Sequence, residues 1–176
     1  MTVPVVTKGK FTQTIPQTCI DNGKDWARKH LAAIKNHYCK APYFDRYFPM
    51  LEEGLNTSWE MLLDLDLHFI RLLDETLGLG TNYILASSLS PEGKKAELIV
   101  NICELVGADE YLNGAMGRGY LSDDLFRERG IRLMFQDYDH PVYRQCYDGF
   151  VSHLSVIDLL FNCGDGSRDV ILSGGS

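Results

Sequence analysis

The sequence predicts an α/β fold, a short parallel sheet of the βαβαβ, Rossmann-like kind flanked by helices and preceded by a helical N-terminal half. Three observations carry that expectation. The chain as far as Gly78 shows helical periodicity, and from Tyr83 onward short apolar runs alternate with amphipathic segments. With 176 residues and 45% hydrophobic content, the chain can bury the substantial core of one domain.

In the first half, WARKHLAAIKNHY places Trp26, His30, Ile34 and Tyr38 one turn apart, with Asp25 available as N-cap. PYFDRYFPMLEEGL follows, with Pro42 at a helix-start position and Tyr43, Phe44, Tyr47, Phe48 and Leu51 on one face. Pro49 is expected to break or kink that helix. Thr57 to Glu60 reads as a capping box opening the longest helix, which should run to about Leu77 and stop at Gly78. On a helical wheel Trp59, Leu62, Leu63, Ile70, Leu73 and Leu77 form one stripe with Asp66 near its centre. A carboxylate there is expected to face a cation, a helix N-terminus or a water-filled site.

In the second half, Tyr83 to Ala86 reads as a strand, and the segment from Pro91 to Gly107 as an amphipathic helix. Residues 110 to 112 read as a second strand, LSDDLFRERG as a short helix ending at Gly130, and the stretch from Ile131 as a third strand. Strands separated by helices of this length imply parallel pairing through right-handed crossovers. One α/β domain is expected over residues 1–164, with the Gly- and Ser-rich residues 165–176 loosely held.

Net charge is −7 and no basic run of five or more residues occurs, which argues against nucleic acid and anionic membrane surfaces as partners. No stretch approaches the roughly 18 apolar residues of a membrane span, and the N-terminus lacks the apolar region of an export signal. The five cysteines never occur in a C-x-x-C spacing, so neither a disulfide framework nor a zinc site is indicated. Reduced thiols and a cytoplasmic location fit that usage. No metal and no cofactor are expected. His30, His37 and His68 lie on helices without a partner at metal-ligand spacing.

In an open parallel sheet, ligands bind beyond the carboxyl ends of the strands. That rule gathers three segments: Ser88 and its neighbours, Asn113 to Gly119, and Asp137 to Tyr143. Gly114, Gly117 and Gly119 could present successive N–H groups to an anion while Arg118 adds charge. The spacing G-x-x-G-x-G matches neither the dinucleotide fingerprint nor the Walker motif, and Asp123 and Asp124 would repel an anion at the next helix. A ligand loop and a plain turn therefore remain equal readings of this stretch. His140, with Asp137 and Asp139 close by in sequence, has the composition of a carboxylate-oriented general base. Cys146 is the best-placed thiol, and Tyr120 and Tyr143 are aromatics able to stack on a ring.

Four segments, KAPYFDRYFPMLEE (40–53), GADEYLNGAMGRGYLSDDLFRERGI (107–131), FQDYDHPVYRQ (135–145) and LSVIDLLFNCG (154–164), resemble the WbqC-like protein family of bacterial O-antigen and cell-surface polysaccharide gene clusters. The chain departs from the family's usual Ser-Gly-Pro at Asn113-Gly-Ala. It also begins after the aromatic-rich front segment that members usually carry, so the resemblance implies that part of the site can lie upstream. It further implies an enzyme of glycan-precursor synthesis, a transferase with a nucleotide or acyl/aminoacyl donor. The alternative is a non-catalytic ligand-binding or assembly component of the same pathway. The expected catalytic residues are His140 and Asp137, and the expected ligand-binding residues are Ser88, Asn113, Gly114, Gly117, Arg118 and Tyr143. The expected partner is a small-molecule glycan precursor or activated donor.

Overall fold

The computed structural model describes residues 1–119 and 121–175. Where the sequence suggests one domain, the chain divides into two compact units, residues 1–80 with 140–173, and residues 81–139 with the chain's end from Gly174.

The larger unit is helical. Helix α1 (Trp26–Tyr38) buries Trp26 and Ile34, on the stripe that the four-residue spacing predicts. Helix α2 (Phe44–Asn56) buries Phe44, Tyr47, Phe48, Leu51 and Leu55 and continues through Pro49, where a break is expected from sequence. The missing Pro49 N–H removes one intrahelical bond, and the burial of five side chains on the opposite face holds the helix across the gap. Helix α3 (Leu62–Leu77) ends as expected at Gly78, which takes the left-handed conformation at φ 64°. Its start is not the capping box. Thr57 instead closes α2, its N–H and hydroxyl both donating to the Glu53 carbonyl, at 3.1 and 3.0 Å. Helix α3 begins where the Leu62 N–H donates to the Thr18 carbonyl, in a segment already paired to the N-terminal strand-like residues.

The expected phase of α3 is also corrected. Leu62, Leu65, Phe69, Leu73 and Leu77 face the core, while Ile70 and Asp66 are exposed, so Asp66 needs no partner. Close approach of α2 selects that face. A Cβ at Gly54 would lie 2.8 Å from both His68 Nε2 and Phe69 Cζ, so only glycine lets the helices meet there.

The smaller unit contains α4 (Ala86–Leu89), α5 (Ala96–Leu105), β1 (Glu110–Asn113), α6 (Asp123–Arg127) and β2 (Arg132–Phe135). β1 and β2 pair in parallel, with Glu110 opposite Arg132 and Asn113 opposite Phe135, so the second and third expected strands form as read. The first does not. Residues 83–85 form no strand and are more than 40% exposed, and Ala86 opens a single helical turn. Among the described residues the sheet is therefore two-stranded, a single βαβ rather than a Rossmann-like βαβαβ. Helix α5 starts later than Pro91 suggests, because Gly93 and Lys95 have φ of +91° and +53° and break the right-handed path. Val100, Cys103, Leu121, Phe126 and Ile131 make this unit's core.

In the larger unit the chain continues through α7 (Val156–Cys163), a 3-10 turn over Gly164–Gly166, and α8 (Ser167–Ser173). Residues expected to trail loosely are thus helical as far as Ser173. Ser167 is buried, its hydroxyl donating to the Gly164 carbonyl at 2.6 Å, and Arg46 and the Tyr47 hydroxyl hold Asp165. Phe161, fully buried at 0% exposure, packs on Tyr38 and Phe44 and joins α7 to the α1–α2 core.

Candidate functional site

The residues singled out from sequence are divided between the two units. Ser88, Asn113, Gly114, Gly117, Arg118 and Asp137 belong to the smaller unit, His140 and Tyr143 to the larger. Ser88 lies in α4, its hydroxyl donating to the Leu85 carbonyl at 2.7 Å, an ordinary one-turn closure. Asn113 ends β1. It accepts the Tyr111 hydroxyl at 3.0 Å and donates to the Gly114 carbonyl at 3.1 Å, so its side chain braces the turn. Gly117 is buried in the following 3-10 turn (Ala115–Gly119). A Cβ there would lie 2.8 Å from Asn113 Cγ and 3.3 Å from the Phe135 ring, so this glycine is required by internal packing. Gly114 and Gly119 have neither a positive φ nor a described atom within 4 Å of an added Cβ, and their fold would accept a side chain. Arg118 lies over the Phe135 ring at 5.5 Å. Tyr120 lies outside the described residues.

His140 anchors a compact loop in the larger unit. Its Nδ1 pairs with the Pro141 carbonyl at 2.9 Å, and its Nε2 accepts the His153 backbone N–H at 3.1 Å. That pattern fixes the tautomer with the proton on Nδ1. The ring also packs on Phe150 and His153. As a general base, His140 would first have to release the His153 N–H.

Tyr143 leads to a different constellation. Its hydroxyl donates to Asp158 Oδ2 at 2.7 Å, and Gln145 Nε2 donates to the same oxygen at 3.0 Å. The Tyr38 hydroxyl lies near enough to this carboxylate to feel its charge. Asp158, only 3% exposed, thus ties the 140–154 loop to α7. Burial, reinforced by the Asp158 charge, pushes the Tyr38 hydroxyl up to about 12, and burial together with the hydrogen bond to Asp158 raises Tyr143 as well. Gln145 extends the tie. Its Nε2 donates to the Val151 carbonyl and its Oε1 accepts the Val151 N–H, both at 2.9 Å, in the manner of a strand partner.

Above this anchor lies a pocket of about 280 Å³ lined by Lys40, Pro42, Arg144, Gln145, Cys146 and Asn162. Neither Lys40 nor Arg144 forms an ion pair with a described residue, and no acidic side chain lines the pocket. Asn162 Nδ2 donates to the Asp158 carbonyl at 2.7 Å, while its buried Oδ1 has no hydrogen-bond partner. The Cys146 thiol is pushed up by burial and then by Asp158, which keeps it protonated and a poor nucleophile. Two unpaired cations over a polar floor suit a carboxylate or phosphate group.

Sequence reasoning did not single out Lys40, Arg144, Gln145, Asp158 or Asn162. A signal was nonetheless present, since every one of them lies in KAPYFDRYFPMLEE, FQDYDHPVYRQ or LSVIDLLFNCG. Among the described residues, no cluster of three or more His, Cys, Asp or Glu side chains has the arrangement of a metal site. Among the described residues, no helix is long and apolar enough to cross a membrane.

The family described as the WbqC-like protein family matches residues 1–170. The chain is similar to the uncharacterized protein Rv1507c of Mycobacterium tuberculosis, 33% identical over 176 residues that cover 97% of this chain and 74% of that protein. No solved structure matches.

Proposed function

The chain belongs to the WbqC-like protein family, and from that premise we propose that it acts in bacterial cell-surface polysaccharide (O-antigen) biosynthesis, as a cytoplasmic transferase working on a sugar precursor. In this reading Lys40 and Arg144 hold the negative group of a nucleotide or acyl/aminoacyl donor. The observation that carries it is a pocket with two unpaired cations and no lining acid, in a chain of net charge −7. Such a local reversal of sign concentrates an anionic ligand against the field of the whole protein. His140 takes the proton of the attacking amine or hydroxyl once the His153 N–H is released, its Nδ1–H held by the Pro141 carbonyl.

The test is calorimetric binding of nucleotide sugars and aminoacyl adenylate analogues to the whole chain, to Lys40→Gln/Arg144→Gln and to His140→Asn. Binding that vanishes in the double variant but persists in His140→Asn, with product formation lost in both, is expected. Unchanged binding in the double variant would refute the anion pocket.

A second reading, a non-catalytic ligand-binding or assembly component of the same pathway, is favoured by one specific observation. The His140 ring nitrogens and the Asp158 carboxylate are already hydrogen-bonded within the protein, and Cys146 is held protonated. Unaltered pathway output from His140→Asn would select this reading.

A further inference from the structure

On the outer side of α3 lies a second hollow, of about 420 Å³, lined by Trp59, Asp64, Leu67, His68, Arg71, Leu72 and Glu75. We propose that it is a binding site for an uncharged sugar ring. The α3 residues recur at three- and four-residue intervals from Asp64 to Glu75 and therefore share one face of the helix. Apart from His68, whose ring reaches Gly54 of α2, these residues lie off the core-facing stripe of Leu62, Leu65, Phe69, Leu73 and Leu77.

Three features point to a polyol. First, the indole of Trp59 is fixed in place. Its Nε1 donates to the Gly54 carbonyl at 2.7 Å, and the His68 ring packs against it at 5.0 Å between centroids. A preset aromatic surface costs little conformational entropy when the apolar C–H face of a pyranose settles on it.

Second, Asp64, Arg71 and Glu75 stand one and two helical turns apart, yet none forms an ion pair with a described residue. Glu75 follows Arg71 by four residues, the less favourable order for a helical pair. Two carboxylates and a guanidinium left open on one face offer both acceptors and a planar donor fork, the complement of adjacent sugar hydroxyls.

Third, the charges sum to about −1 with His68 neutral, which disfavours a phosphate or a uronate here. The volume lies in the range of about 300–1,000 Å³ typical of small-molecule sites. His68 Nε2 is buried without a hydrogen-bond partner against Gly54, which leaves Nδ1 as the ring nitrogen able to serve a ligand.

This site shares no lining residue with the Lys40–Arg144 pocket, so the two readings stand or fall separately.

The experiment is a ¹H–¹⁵N titration of the whole chain with glucose, galactose, N-acetylglucosamine and glucuronate, together with methyl glycosides of the neutral sugars. Shifts confined to residues 54–75, saturating with a Kd of about 1 mM for at least one neutral sugar and absent for glucuronate, are expected. Because Trp59 also packs against the core, the variants are the exposed Arg71→Met and Glu75→Gln. Each should weaken that sugar about tenfold with an unchanged melting temperature. Inorganic pyrophosphate should leave residues 54–75 unperturbed in every variant. No saturable shift with any neutral sugar, equal binding of glucuronate, or affinity indifferent to both substitutions would overturn the assignment.

Discussion

Removing the Asp158 carboxylate should cost the larger unit a sizeable part of its stability. Two hydrogen bonds at 2.7 and 3.0 Å, from Tyr143 and Gln145, converge on a side chain that is 3% exposed. Asp158→Ala would leave two donors without that acceptor. At about 1–3 kcal/mol for each orphaned group, and allowing water to reach the half-buried Tyr143, the loss is about 2–5 kcal/mol. That compares with about 5–15 kcal/mol for the whole stability of a typical domain. Asp158→Asn keeps the shape and one acceptor, and the Tyr143 hydroxyl can rotate to accept from the new amide, so about 1–2 kcal/mol is expected. Urea denaturation followed by tryptophan fluorescence reads this cleanly, since both tryptophans, Trp26 and Trp59, belong to the larger unit. A double-mutant cycle with Tyr143→Phe should give a coupling of about 1 kcal/mol or more. Asp158→Ala within about 0.5 kcal/mol of the parent, or strict additivity with Tyr143→Phe, would refute the anchor.

Gly117→Val should lower the melting temperature through its clash with Asn113 and Phe135, and Asn113→Ala should partly restore it. Gly114→Ala should leave stability within about 0.5 kcal/mol of the parent, because nothing described lies within 4 Å of an added Cβ. If Gly114→Ala instead abolished anionic-ligand affinity at constant melting temperature, the turn would be a ligand loop. The Arg46 and Tyr47 hydrogen bonds hold the Asp165 carboxyl below its ordinary 3.8. A depressed folded-state value means stability that is present above 3.8 and lost as pH falls through the lower folded value. The melting-temperature gap between the parent and Asp165→Asn should accordingly be small at pH 7, as befits an exposed pair, and should close in acid. In alkaline titration followed at the phenolate absorbance, Tyr38 and Tyr143 should ionise after the other tyrosines. Their raised folded values contribute stability that is complete below the ordinary 10.0 and is lost, for Tyr38, as pH rises through about 12. Asp158→Asn should bring both tyrosines down.

Helices α1 and α2 were legible because their apolar residues occupy one side only, so period and phase are read together. Helix α3 gave up its period but not its phase. In LLDLDLHFIRLL leucines fall on every side, and only the approach of α2 at Gly54 selects Leu65 and Phe69 over Ile70. Thr57-Ser-Trp-Glu60 misled for a related reason. A capping box is a local pattern, and here a nearer carbonyl, that of Glu53, takes the threonine hydroxyl before α3 begins. The run YILA had no local feature separating a strand from an extended exposed connection, since a strand is defined by a neighbour that four residues cannot reveal.

The site shows the same division between local and distant information. Strand-end topology pointed to the 113–119 turn, whose buried glycine is explained by the Asn113 and Phe135 side chains packed against it. The cationic pocket draws on Lys40, Arg144 and Asn162, three residues far apart in sequence, each an unremarkable polar residue in its own surroundings. No spacing rule joins them. Two of them lie beside Asp158, whose carboxylate accepts from Tyr143 and Gln145 on either side of Arg144 and whose carbonyl accepts from Asn162. A buried acid with no marked spacing in the sequence is therefore the residue that holds the 140–154 loop beside this pocket. Its replacement by alanine should disorder anion binding and stability together, whereas Arg144→Gln should affect binding alone.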